Sequence, residues 1–430
     1  MAINPLATDR KFFQDAMWNY SAFAIMALTG VILNFFIAWK MGLEALGIFN
    51  QIYAIYVVLG QLAAFGVHDS VQKHIAEYAD DKLTSDLVGQ TAFWIALGTG
   101  FLIGGLLFTL SSVVEVVTNS VQVGRGVAIV APAICLFSVN KILMGILNGA
   151  RRMKAFAIVQ SIRVVVILCV CFGISLFAHA AYLLALGFLC AEIAITPVLL
   201  ILTRAWSWPF GITQAKKWAI THIKFGVKAL SGGFLAESYI RIDILMLAIF
   251  VSDLNVGIYS FAALFVEGLF QVPVVIRTIS NPVLVKFLLV QDPVSIVKFV
   301  RKVSPISAGI YILIAIVVLI GFPLLSNIYP IDLIISAHEL LFVLLAGLLV
   351  YAVFIPFDYV LLQSGMPGRQ SLLFTINVIT NILLNLIFIP NLGIWGAALA
   401  TAISFALSAV FLNIAAKIWL GCRNGLMFMP

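Results

Sequence analysis

Stretches of predominantly apolar residues, each long enough to cross the hydrocarbon of a bilayer as a helix of about 20 residues, alternate along this chain with short polar, basic segments. They fall near 16–39, 45–66, 87–110, 126–147, 155–177 and 181–203 and resume, after a longer basic segment, near 225–250, 256–276, 303–325, 338–362, 370–389 and 394–418. The pattern predicts an all-α, polytopic membrane bundle of about twelve transmembrane helices. Residues 1–15 are polar, and the apolar run that follows is too long for a secretory h-region and has no AxA-like cleavage site, so it is expected to remain as the first helix.

Six spans on each side of the interruption suggest two six-helix lobes, 1–203 and 225–430, joined by an interfacial cytoplasmic linker, 204–224. Residues 244–259 can be laid on 34–49 at an offset of 210, with Gly257 over Gly47. An even number of spans per half makes the repeat parallel, about an axis along the membrane normal, and such repeats place a substrate site between the halves. The linker mixes Trp206, Trp208, Pro209, Lys216, Lys217 and Trp218, a composition suited to the headgroup layer. Residues 282–302, around Pro293, are expected to form a second interfacial helix pair on the same side.

Composition agrees with a membrane chain: of 430 residues 63% are hydrophobic and only 10% charged, against about 25% charged in soluble domains. The formal charge of +7 reflects topology rather than nucleic acid. Of the 25 Lys and Arg, 19 fall in segments on the side of the N-terminus, and Lys40 and Arg125 alone in the opposite loops. This bias predicts cytoplasmic termini in a plasma (inner) membrane. The five cysteines suggest neither a disulfide framework nor a CxxC metal spacing.

Ionisable side chains at membrane depth are costly and mark candidate function. The candidate cavity cations are Lys141, Arg163, Lys228 and Arg241. The first three lie within about two turns of the cytoplasmic ends of their spans, as a shallow positive vestibule; snorkelling is the alternative for Lys141 and Lys228. The candidate coupling acids are Glu192, Glu237 and Asp243, of which Glu192 and Glu237 sit mid-span. Glu237 and Arg241 stand four apart, where they can also neutralise each other, and Gly232–Gly233 precede them as a candidate kink. Asn377, Asn381 and Asn385 form one polar stripe that either holds a neighbouring helix or lines a wet cavity. GxxxG spacings at Gly100–Gly104 and Gly145–Gly149 predict close helix contacts. Scattered histidines, and the absence of GxSxG, HExxH and GxxxxGK[ST], argue against an enzyme and against a metal or organic cofactor.

Three runs carry a family resemblance: the stretch from Gly42, GLEALGIFNQIYAIYVVLGQLAAFGVHDSVQKHIAEY; the stretch from Arg241, RIDILMLAIFVSDLNVGIYSFA; and the stretch from Asn381, NILLNLIFIPNLGIWGAALATAIS. They resemble the polysaccharide transport, or Wzx-type flippase, family of the multidrug/oligosaccharidyl-lipid/polysaccharide exporters. The resemblance implies two lobes around a central cavity with cationic lining. It further implies a polyprenyl-diphosphate-linked oligosaccharide moved from the cytoplasmic to the outer leaflet for O-antigen or other surface polysaccharide. A bilayer, and a polysaccharide polymerase with its chain-length regulator, are the implied surroundings, and H+ or Na+ the implied coupling ion. Two other readings stay open: a cation-coupled small-molecule exporter, and a non-transporting scaffold for glycan assembly. The exporter branch usually carries an acid in its first span, and none lies between Ala16 and Trp39.

Overall fold

The computed structural model describes residues 5–178, 180–205, 208, 212–289, 293–422 and 426; the side chains of 5–13, 16, 212–214, 228–240, 282, 286, 289 and 293 fall outside the described set. The chain divides into two compact units, Met1–Ser238 and Tyr239–Pro430. The division lies within one helix, C-terminal to the segment 204–224 expected to separate the halves.

Unit 1 comprises α1 (Pro5–Met41), α2 (Leu43–Ala64), α3 (Val67–Glu77), α4 (Lys82–Thr109), α5 (Ser111–Thr118), α6 (Val121–Gly149), α7 (Met153–Phe177), α8 (Leu186–Thr203) and the first part of α9 (Ile212–Phe250). Unit 2 comprises the rest of α9, α10 (Asp253–Leu289), α11 (Pro293–Gly321), α12 (Ile331–Ala352), α13 (Val360–Gln363), α14 (Pro367–Leu392) and α15 (Ile394–Leu420). Every described element is helical, and eleven spans are long and apolar enough to cross a membrane. The twelfth expected span, 225–250, lies inside the 39-residue α9, which is helical through Gly232 and Gly233. The chain is a multi-pass membrane protein.

In unit 1, α6 is the most buried span, and glycines let two neighbours, α3 and α4, approach it at backbone distance. A Cβ on Gly100 of α4 would meet the Cα of Cys135 at 2.9 Å, and one on Gly104 the carbonyl oxygen of Ala131 at 2.6 Å. A Cβ on Gly145 of α6 would meet the carbonyl of His68 at 2.9 Å, and one on Gly149 that of Gln72 at 2.5 Å. Both GxxxG pairs therefore serve the close helix contacts expected of them. In unit 2, α14 turns directly into α15 at Gly393, whose φ of +57° and ψ of −131° suit glycine.

Three expectations are corrected. The span expected at 338–362 instead runs as α12 from Ile331 to Ala352 and stops; a 3-10 turn, Ile355–Phe357, and the short α13 follow. Pro356 supplies the reason, since it lacks an amide proton and disfavours helix at the residue before it. The interfacial pair expected at 282–302 is not separate: Pro282–Leu289 finishes α10 and Pro293–Lys302 starts α11. Leu284, Ile296, Val297 and Val300 pack into a core with Phe357 and Leu412 rather than against headgroups. Finally, the linker residues Trp218 and His222 are buried against α3 and α4, although Lys216 and Lys217 are exposed as an interfacial segment requires.

Candidate functional site

The unit 1 cluster is built on Glu192 of α8, which is fully buried. Arg163 of α7 meets it side-on: Nη2 donates to Oε2 at 3.2 Å, and Nε lies 3.0 Å from Oε1 without the alignment of a hydrogen bond. Tyr56 of α2 donates its hydroxyl to Oε1 at 2.5 Å, and Asn140 of α6 donates Nδ2 to Oε2 at 2.7 Å. Thus a carboxylate that would be prohibitive alone in hydrocarbon is neutralised by one guanidinium and held by two neutral donors.

Lys141, one position beyond Asn140, donates to the side-chain carbonyl of Gln61 on α2. The ring of Phe137, four residues before Lys141 on the same face of α6, lies between the two cations, 5.2 Å from the Arg163 guanidinium and 5.7 Å from the Lys141 ammonium. Gly60 makes room for that ring, since a Cβ there would meet Phe137 at 2.8 Å. Among the described residues the cluster brings together two cations, Arg163 and Lys141, and one acid, Glu192. Just beyond the membrane helices, burial and then the Lys141 charge push the His68 imidazole down to about 3, so it adds no further charge at neutral pH.

The unit 2 cluster is built on Asp243 of α9. Its Oδ1 accepts from Asn385 Nδ2 of α14 at 2.8 Å; its Oδ2 accepts from the Tyr259 hydroxyl of α10 at 2.9 Å and the Thr401 hydroxyl of α15 at 2.6 Å. Asn385 also donates to Asn381 Oδ1 at 3.1 Å, and Asn377 is buried one turn further on. The asparagine stripe therefore makes a helix contact, through Asn385 to Asp243 of α9, and none of its three amides lines the cavity beside Asp243. Asp243, Tyr259, Thr401, Glu267 and Gln271 face a cavity of about 110 Å³, room for a few waters. Its lining offers carboxylate, amide and hydroxyl oxygens, the donor set of a hard cation or a bound proton.

Arg241 pairs with Glu267 of α10, at 3.3 Å, an acidic partner on another helix that the sequence spacing did not indicate. Glu237 and Lys228, expected as a coupling acid and a cavity cation, lie outside the described side chains. Sequence reasoning missed Tyr56, Asn140, Tyr259 and Thr401, since a lone hydroxyl or amide in an apolar run reads as packing. It also left Arg277 and Asp358 unpaired. They form a buried ion pair, with Nη1 2.8 and 3.0 Å from the two carboxylate oxygens, and the guanidinium 4.3 Å from the Tyr359 ring. Asp358 thereby secures the turn that ends α12.

Outside the spans, His222 of α9 is wholly buried beneath α3 and α4. A carbonyl can only accept, so Nε2 donates to Val88 O at 3.2 Å, and Nδ1 accepts from the Ser70 hydroxyl at 2.9 Å. Burial lowers its pKa to about 4, against the opposing pull of the Val88 carbonyl.

The chain is 25% identical over 396 residues to a probable low-salt glycan biosynthesis flippase, Agl15, of Haloferax volcanii, covering 87% of this chain and 77% of that protein. Among solved structures it resembles the lipid II flippase MurJ in an inward closed conformation. That match has a TM-score of 0.74 at 15% identity and covers 94% of this chain and 87% of that one. It also resembles an inward-facing MATE family multidrug transporter, with a TM-score of 0.69 at 13% identity and coverage of 93% and 94%. At these identities the structural matches speak for the fold alone. The sequence model of the family described as polysaccharide biosynthesis protein matches residues 12–287, the greater part of the chain and both clusters' founding acids. The chain belongs to that polysaccharide biosynthesis protein family, as its resemblance to the Wzx-type flippases implied.

Proposed function

We propose that the protein is a flippase that moves a polyprenyl-diphosphate-linked oligosaccharide from the cytoplasmic to the outer leaflet of a plasma membrane by alternating access, in surface polysaccharide synthesis. The observation that carries this reading is the pair of cations, Lys141 and Arg163, brought to one ring inside a membrane-spanning unit of this family. A diphosphate leaving the headgroup layer needs positive groups to replace lost hydration. Lys141 and Arg163 supply them, and Arg163 can also fork two phosphate oxygens. Glu192 occupies that fork in this structure, so the diphosphate would have to compete with Glu192 for Arg163. Competition of this kind gives weak, releasable binding, which a carrier needs. Asp243, held by neutral donors beside a cavity of about 110 Å³, is the coupling group we infer for H+ or Na+.

The same Asp243 cavity favours a second reading, a cation-coupled small-molecule exporter, and the MATE-like fold supports it. One experiment separates the two. Deleting the protein in its native strain should make lipid-linked glycan accumulate and surface polysaccharide fall, and the wild-type chain should reverse both. Normal surface polysaccharide in the deletion strain, with heightened sensitivity to cationic dyes, would favour the exporter.

A further inference from the structure

At one end of unit 1 the first turns of the spans in α1 and α7 and the last turn of α8 enclose an open groove of about 1000 Å³. Its floor is apolar and contains Ile158, Val198 and Leu202, with Ile158 41% exposed on the outer surface of the span. Its rim is charged. Among the described residues that line it, Arg151, Arg152 and Lys154, consecutive but for Met153, stand against a single acid, Asp15, and Trp18 lies beside them. Each cation is held in place: Arg151 on Asp15 at 3.0 Å, Arg152 on the carbonyl of Leu202 at 2.5 Å, and Lys154 over the Trp18 ring at 5.4 Å. Arg152 thereby covers the negative end of α8, and it precedes α7 without any side-chain cap on that helix's first amides. A groove with a hydrocarbon floor, an amphipathic tryptophan and a net positive rim, at the depth where spans end, matches the boundary between acyl chains and headgroups.

We propose that this groove is a docking site for one anionic glycerophospholipid, with its phosphodiester among Arg151, Arg152 and Lys154 and its acyl chains along Ile158, Val198 and Leu202. Charge selects the lipid. A zwitterionic headgroup would bring a fourth cation against these three, whereas an anionic one meets three cations and, among the described lining residues, one acid. The floor offers no polar wall for the sugars of the proposed substrate, while that substrate's polyprenyl diphosphate shares the tail and charge of a phospholipid, and the titration below separates the two. The site is separate from the Glu192 cluster, and its test does not depend on transport.

The test is native mass spectrometry of the full-length protein, titrated with phosphatidylglycerol or phosphatidylcholine. Wild type should retain one phosphatidylglycerol in preference to phosphatidylcholine. Arg152→Gln/Lys154→Gln should weaken it about 20- to 30-fold, from roughly fivefold per removed cation. Lys216→Gln/Lys217→Gln, which removes two exposed cations elsewhere in unit 1, should leave it intact. A photoreactive phosphatidylglycerol on the wild-type chain, which needs no variant to fold, should label Trp18 or Ile158. Equal retention of the two lipids overturns the proposal, as does undiminished retention in the groove variant or labelling only elsewhere. Preference for a polyprenyl diphosphate with no phosphatidylglycerol retained would also overturn it, in favour of a substrate entry station.

Discussion

Glu192 decides how the charged residues of unit 1 are to be understood. With its only described cation removed, a fully buried carboxylate keeps just Tyr56 and Asn140 as donors. Breaking a buried pair from one side costs about 3 to 5 kcal/mol. Arg163→Ala should therefore lower stability in detergent unfolding by that amount, and Arg163→Ala/Glu192→Gln should recover most of it. Function separates the roles: if Arg163 meets the diphosphate, the double variant regains stability but not surface glycan, whereas a purely structural arginine predicts both return. At Asp243 the expected outcome is different. Asp243→Asn keeps a side chain that can still accept from Tyr259 and Thr401, so the fold should survive while proton or sodium dependence of transport in vesicles disappears. Retained ion dependence would remove Asp243 from coupling. Residue types were legible in the sequence, because charge at membrane depth stands out. Partners were not: Arg163 and Glu192 are 29 residues apart on neighbouring helices, and each was assigned a separate role. Helical spacing suggested Glu237 for Arg241, a side chain outside the described set, and it gave no sign of Glu267, which packing brings to Arg241 from another helix.

At the scale of elements, apolar run length located most helices within a few residues, and glycine spacing located their contacts. Gly104→Val should disrupt the α4–α6 contact, since any Cβ there falls 2.6 Å from a backbone oxygen that cannot move aside cheaply. Overpacking of this kind costs about 1 to 3 kcal/mol, whereas Gly98→Ala on the same helix, with nothing within 4 Å of the added carbon, should be neutral or mildly stabilising. Melting temperatures of the two variants check this. The short elements were less legible. The turn after Ala352 depends on one proline and a buried ion pair, and the apolar pattern on either side of it is that of a continuous span. The start of α9 was read as headgroup-facing from its tryptophans and lysines, yet only its lysine face is exposed. His222 on the buried face gives that docking a pH signature. Its pKa is about 4 when folded and about 6.5 in an unfolded chain, so as pH falls the unfolded state takes up the proton first. The contribution is complete above about pH 6.5 and is lost between there and pH 4, up to about 3 kcal/mol. Unfolding measured across that window should show the slope, and His222→Gln should flatten it.

For the whole molecule, the apolar count and its even division spoke for two helical units in a membrane, and the family match agrees with what three short runs implied. What substrate crosses, and driven by which ion, is carried by clusters whose members come from four helices each, which no one-dimensional pattern displays. The central claim is that a lipid-linked, diphosphate-bearing glycan crosses the bilayer through this chain with the help of Lys141 and Arg163. Its most direct measurement is a leaflet-accessibility assay in proteoliposomes carrying a fluorescent polyprenyl-diphosphate oligosaccharide, quenched from outside. Wild-type protein should make the inner-leaflet fraction accessible within minutes when an ion gradient is applied, and Lys141→Ala with Arg163→Ala/Glu192→Gln should leave it protected. Protection that persists with correctly inserted wild-type protein, under both proton and sodium gradients, would contradict the account.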